Sequence, residues 1–324
     1  MTSRKFFAVL AFLLCWSHAD AQFFKNVDEW LRERQARQRY DTTYYFRPQE
    51  RWLVRGRSFV SGQHSGMVVG TEKDVSLIDL DCGPQFRQSF GLGYRNVILD
   101  VGFNPFKNNR LLEISLAALG NRLGFNGNFS IAGGMSGRAD INNEAVVIPV
   151  NTMAGLRGKL ELCYAFNGGR FSMPAARIQT YVQRKSAGSL LALASAQIYG
   201  VTTLKDAPVE LPVHNAITGL IGLGLGYGYN WVPSGHWLIH ASLTETIGIF
   251  GDSRLGLVDE VVTFSEKVPV SATAGNLAVC YYFKKFYVGV SGSFDSLVHI
   301  AVGDAGLING YSSYQGVFSA GVRF

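Results

Sequence analysis

The sequence predicts an all-β protein: a transmembrane antiparallel up-and-down β-barrel of about twelve strands, roughly ten to fourteen being compatible, with a short N-terminal helix. Three observations predict it. Polar and apolar residues alternate over runs longer than the strands of a soluble sheet. Tight turns carry aromatic residues on both sides, as in "CYAFNGGRFS", "GYGYNWVPSGHW" and "CYYFKKFYVG". The chain also stops on an aromatic residue in mid-strand, "YQGVFSAGVRF". A soluble sandwich alternates too, but strands long enough to cross a bilayer obliquely, with Tyr, Phe and Trp at their ends, fit membrane interfaces.

Composition agrees. Of 324 residues, 47% are hydrophobic and only 17% charged, which excludes a disordered chain. The 37 Gly and 9 Pro, with many Tyr and Phe, favour strands over helices. The opening "MTSRKFFAVLAFLLCWSHADAQ" has basic Arg4 and Lys5, an apolar run from Phe6 to Trp16 and a small-x-small site at Ala19–Ala21. It is expected to be a cleaved signal peptide, residues 1–21, too short to anchor the chain as a helix. Cleavage removes two basic residues and one acidic one, lowering the formal net charge of +6 by one. The remaining basic residues are scattered, which excludes a nucleic-acid surface. Cys82, Cys163 and Cys280 are an odd set for an exported chain and predict no disulfide framework. No CxxC or His/Cys cluster suggests a metal, and no cofactor is implied.

Residues 22–49 read as a periplasmic amphipathic helix and lead-in. Phe23, Phe24, Val27, Trp30 and Leu31 recur at helical spacing opposite Arg32, Arg34, Arg37 and Arg39. Such a helix caps one end of the domain or lies on an anionic membrane surface. Residues 50–324 read as the barrel, with no second globular domain. Leu156, Leu160, Leu162, Tyr164 and Phe166 share one strand face, with Arg157, Lys159, Glu161 and Cys163 on the other. Leu277, Val279, Tyr281 and Phe283 repeat the device, as do Val288, Val290 and Phe294. Residues 216–232 are apolar enough for a membrane helix, but Gly222, Gly224, Gly226 and Gly228 occupy alternate positions and make one bare strand face instead.

Strands are predicted over 150–166, 171–184, 188–200, 215–230, 236–250, 268–283, 286–299 and 312–324. Two hairpins precede them, in "SFGLGYRNVILDVGFNP" and in "LLEISLAALGNRLGFNGNFSI", the latter turning at Gly120–Asn121. Longer connections are expected near 134–149, 201–214, 251–267 and 300–311.

The motif order resembles a family of outer-membrane β-barrels of Gram-negative bacteria catalogued as a domain of unknown function. The resembling residues are "YDTTYYFRP", "FGLGYRNVILDVGF", "YAFNGGRFSMPAARIQTYVQRKSAGS" and "GLGLGYGYNW", spread over most of residues 40 to 250. The turn at Phe166–Asn167 and the stretch Gln183 to Ser189 are its most specific parts. The resemblance implies the fold and an outer-membrane location, and brings no activity. Resemblance to barrel proteins in general implies that the terminal Phe324 is the signal read by the barrel-assembly machinery.

Two groupings suggest chemistry. In "HWLIHASLTE", His240 and Ser242 lie on one strand face with Glu245 near. The trio resembles lipid A deacylase barrels, in which a His activates a Ser. However, the parity of Trp237, Ile239, Ala241 and Leu243 turns His240 and Ser242 into the lumen, and Glu245 takes the opposite parity. The reading is therefore two polar lumen residues and no enzyme. Arg51, Arg55 and Arg57 alternate with Trp52 and Val54 and are expected to form a lumenal basic patch, either salt-bridged to carboxylates such as Glu161 or forming an anion-attracting constriction. "NGGR" at 167–170 is hairpin chemistry rather than a phosphate loop.

The expected function is a non-enzymatic, structural or surface-interaction barrel or a narrow channel. A lipid-modifying acyl hydrolase and an accessory subunit of an envelope complex are the alternatives. The expected partners are outer-membrane lipids and the assembly machinery, with a monomer favoured. Sequencing the N-terminus of membrane-extracted protein is expected to start at Gln22; retention of Phe6 to Trp16 would remove the export argument.

Overall fold

The computed structural model describes residues 21–70, 75–105, 111–141, 144–204, 213–257, 261–264, 270–301 and 306–324. All but the last residue of the expected signal peptide, and the middles of the expected long connections, lie outside them. The chain divides into two compact units, the first reaching to Arg39 and the second spanning Tyr40–Phe324.

In the first unit, helix α1 covers Ala21–Arg37. Arg37 pairs with Glu33 one turn back at 3.2 Å, and Arg34 lies 5.3 Å from the exposed Trp30 ring.

The second unit is a closed antiparallel wall. After the two-residue β1 (Tyr45–Phe46), its strands are β2 (Trp52–Gly70), β3 (Val75–Asp81), β4 (Gln85–Tyr94), β5 (Val97–Phe103), β6 (Leu111–Leu119), β7 (Leu123–Ile141) and β8 (Glu144–Ala165). After the short β9 (Val182–Gln183) come β10 (Ala187–Thr203), β11 (Val213–Trp231), β12 (Trp237–Leu257), β13 (Val261–Phe264), β14 (Ser271–Tyr282), β15 (Phe286–Ala301) and β16 (Gly306–Arg323). β3 and β4 pair with successive parts of β2, and β13 and β14 with successive parts of β12. Each couple is one interrupted crossing, so the 14-stranded sheet makes twelve crossings. β16 pairs with β2 from Leu53 to Gly70 and closes the ring. At the seam the Trp52 and Phe324 backbones exchange hydrogen bonds, both 3.0 Å.

Side chains obey strand parity. Leu160, Leu162, Leu223, Leu225, Leu243, Leu277, Val290 and Phe318 stand exposed on the outer face. Arg157, Lys159, Glu161, Cys163, Ala278 and Cys280 point inward. Each large apolar side chain left in water forgoes about 1.5–3 kcal/mol of transfer free energy, so this outer face is a lipid face. From Ser313 to Arg323, β16 rises about 25 Å once an ordinary tilt is allowed for, the height of a barrel's apolar band. Trp52 against Tyr94, Tyr164 against Phe166 and Trp237 with Tyr281 and Phe283 ring the end where the tight turns lie.

The bare face of β11 points inward. A Cβ on Gly224 would lie 2.5 Å from the Glu245 carbonyl oxygen, so the close approach of β12 requires glycine there. At the end away from the tight turns the wall narrows. β5 and β6 are only 7 and 9 residues long, and beyond them β3 pairs directly with β7 at Leu77–Asp81.

One expected strand is absent. β8 pairs directly with β10, Leu160 opposite Ala196, so residues 171–184 are not in the wall. They fold into the lumen instead. Pro174, which lacks an N–H, starts a one-turn π-helix, Pro174–Ile178, and β9 pairs with β1 across the barrel mouth. Phe171 to Ala176 and Ile178 to Gln183 are buried, with none of the alternation a wall strand needs. The lead-in from Tyr40 therefore belongs with the barrel. There Asp41 accepts bonds from the Thr43 hydroxyl and N–H, which hold its carboxyl below the usual range. The expected connections near 134–149 and 251–267 are also largely strand, since β7, β8 and β12 run on into them.

Arginine at Leu160 or Leu162 is expected to cost about 2–4 kcal/mol in denaturant titrations of lipid-refolded protein, against about 1 kcal/mol or less for serine at inward Ala278. Equal losses on both faces would contradict the lipid-facing assignment.

Candidate functional site

The lumen has three layers. Near the tight turns, the inward-folded segment packs Phe171, Met173, Ala175 and Ile178 against Leu53, Ile98, Leu119, Leu191 and Leu238 from strands around the ring. At the narrow end Met67, Leu80, Met135, Met153, Leu220 and Leu297, again from all sides, make a second apolar layer. Between them lies a polar cavity of about 270 Å³.

Its charges come from inward positions. Arg55 holds Asp100 with both prongs, Nε at 2.9 Å and an η nitrogen at 2.7 Å. Arg57 reaches the same carboxylate at 3.3 Å and donates to Ser89. Arg87 pairs with Glu113, which also accepts from Asn128. Arg177 of the inserted segment pairs with Glu161 at 2.9 Å, and Arg157 with Asp295 at 2.9 Å. Lys159 is shared between Glu161 and Asp295, at 3.4 and 3.1 Å. Arg57 and Arg87 flank the buried Phe59 ring at 4.8 and 4.7 Å.

The expected basic patch is thus corrected at one position. Arg51 precedes the first residue of β2, where strand parity does not govern it, and stays exposed, apart from the described cavity lining. Arg55 and Arg57 do enter, and of the two expected arrangements they take the salt-bridged one, with Asp100 as the lumenal carboxylate. Asp100 stands at inward parity inside the apolar "NVILDVGF", a buried carboxylate that could have signalled a cationic partner.

His240 and Ser242 also face the lumen, and Glu245 faces outward, where the Thr273 hydroxyl donates to it. Along the strand same-face neighbours are nearly 7 Å apart. Here the side chains lean together, and His240 Nε2 lies 3.2 Å from Ser242 Oγ. A third group, absent from the sequence reading, orients the ring: Asn230 on β11, directly opposite His240 in the register, with Oδ1 2.8 Å from His240 Nδ1.

The hydrogen-bond chain fixes the protons. Gln183 donates to the Arg170 and Lys185 carbonyls, so its oxygen accepts from Ser172 N–H and from Asn230. Asn230 also donates to the Ser172 carbonyl, which leaves its oxygen to accept the His240 Nδ1 proton. Nε2 is then the acceptor for the Ser242 hydroxyl. The chain ties the inserted segment to the wall, and so do Tyr282, which donates to the Ala175 carbonyl, and Arg323, which donates twice to that of Gln179. Gln179 sits in the left-handed region at φ 55°, and its side chain caps the Ala176 carbonyl. Among the described residues no three or more His, Cys, Asp or Glu stand together as a metal site.

A family model described as a domain of unknown function, DUF4421, matches residues 39–324. The chain belongs to that family. No curated protein matches it. Among solved structures it is similar to the outer membrane protease OmpT from Escherichia coli, with 11% identity over 86% of this chain and 98% of that one and a TM-score of 0.42. The Pseudomonas putida toluene transporter TodX matches at 9% identity over 86% and 90%, with a TM-score of 0.33. The translocator domain of the autotransporter NalP from Neisseria meningitidis matches at 13% over 83% and 88%, also with 0.33.

Replacing Asn230 by leucine would strand the His240 N–H in a buried site, at about 1–3 kcal/mol, and remove one of the two hydrogen bonds accepted by each of the Ser172 carbonyl and the Gln183 oxygen, at about 0.5–1.5 kcal/mol each. Asn230→Leu is therefore expected to lose about 3 kcal/mol or more in urea unfolding, and Ser242→Ala about 1 kcal/mol or less. Similar losses for the two would contradict the network's anchoring role.

Proposed function

We propose that the protein is an exported outer-membrane barrel, inserted by the assembly machinery through the Phe324 signal, that serves as a closed, non-enzymatic structural or surface-interaction element. One observation carries the reading: the lumen is filled by two apolar layers and an inserted segment, where a diffusion channel needs a continuous wet path. Of the roles the sequence allows, a narrow channel is thereby disfavoured.

A second reading, acyl hydrolysis at Ser242, is favoured by the Ser242–His240–Asn230 chain, which has the order and proton positions of an activated nucleophile. Against it, Ser242 opens onto the lumenal cavity rather than toward lipid, and the same chain already serves to hold the inserted segment. His240→Ala and Ser242→Ala are expected to leave lipid A and phospholipid acylation unchanged by mass spectrometry; loss of cleavage in both, with normal assembly, would establish the hydrolase.

Purified protein in planar bilayers is expected to give no stable single-channel steps. Reproducible unitary conductance from the refolded wild type would overturn the closed-barrel reading.

A further inference from the structure

The charges lining the cavity do not balance. Among the described residues, its cations are Arg55, Arg57, Arg87, Arg157, Lys159 and Arg177, and its carboxylates are Asp100, Glu113, Glu161 and Asp295. The surplus is traceable to particular groups. Asp100 is already matched by the two-pronged Arg55, so Arg57 shares a neutralised partner. Glu161 and Asp295 are matched by Arg177 and Arg157, so Lys159 does the same. In addition Arg87 Nε is buried with no hydrogen-bond partner, although the other nitrogens of that guanidinium reach Glu113 and Gln315. Cations taken out of bulk water without counter-charge are costly, and an unpaired buried donor adds to the cost.

We propose that the lumenal cavity is a binding site for a small tetrahedral oxyanion of the phosphate or sulfate class, held by Arg57, Arg87 and Lys159. Planar guanidinium forks match oxyanion geometry, and a doubly charged anion cancels the surplus. The cavity has the volume of about nine liquid waters, room for such an ion with part of its hydration shell. A free ion, rather than a lipid headgroup, is the proposed source, because the cavity lies inside the lumen between two apolar layers. The ion is free, and enters as the barrel folds or when the inserted segment opens. The site is distinct from the closed-barrel role and does not depend on it.

The test refolds the full mature barrel into detergent or lipid with inorganic phosphate, sulfate or chloride at constant ionic strength, and then follows urea unfolding. The wild-type midpoint is expected to rise saturably with phosphate or sulfate and not with chloride. Arg57→Gln combined with Lys159→Gln brings cations and carboxylates into balance. It is expected to raise the half-saturating phosphate concentration at least about tenfold while leaving the chloride midpoint equal or higher. A second measurement needs no variant: wild type refolded in phosphate and desalted is expected to retain phosphate, with a shifted or broadened phosphorus NMR line. A wild type with no saturable oxyanion response and no retained phosphate overturns the site, as does a double variant that responds like the wild type.

Discussion

The hydrogen-bonded seam between β2 and β16 is the constraint on which the other features depend. An open sheet in lipid would expose a row of unpaired N–H and C=O groups, each costing several kcal/mol, so the first and last wall strands must meet. Once they meet, every strand has one face toward lipid and one toward a narrow interior. That single fact explains why Leu160 and Leu162 are tolerated half exposed while Glu161 and Cys163, alternating with them, are buried. The seam also serves the interior directly. Arg323, one residue before the reciprocal Trp52–Phe324 pair, turns inward and clamps the Gln179 carbonyl, so the closing strand holds the inserted segment as well.

The interior then has to be filled. Twelve crossings enclose more space than their own side chains can close, and the protein fills it differently at each level. Where β3 meets β7 the wall loses two strands and apolar side chains from opposite sides meet. Near the tight turns residues 171–184 enter as a plug with its own buried polar network. In between, charged groups are paired, Arg157 with Asp295 across the lumen and Arg87 with Glu113 along the wall over β5, because a buried ion is tolerated only with a partner.

Much of this was legible in the sequence, for a local reason. Alternation, aromatic turn flanks and the glycine stripe of β11 are written in neighbouring residues, so strand faces, both early hairpins and the lumenal position of His240 and Ser242 could be read directly. What was not legible depends on contacts between distant segments. The stretch 171–184 sits where an even spacing of strands places another crossing, and only the direct β8–β10 pairing excludes it. Asn230 becomes the partner of His240 through a register across a turn, and Asp100 becomes the partner of Arg55 through a lumenal contact 45 residues apart in the chain. Arg51 was misassigned because parity was extended one residue beyond the start of β2.

Amide hydrogen exchange of the refolded protein in lipid vesicles, read along the seam, tests this account most directly. Closure predicts that Val54–Val60 and Phe318–Val322 exchange as slowly as the interior pair β8–β10, with protection lost in both seam strands together. Rapid exchange confined to those two segments, beside a protected β8–β10 pair, would mean an open sheet and would contradict the closed barrel.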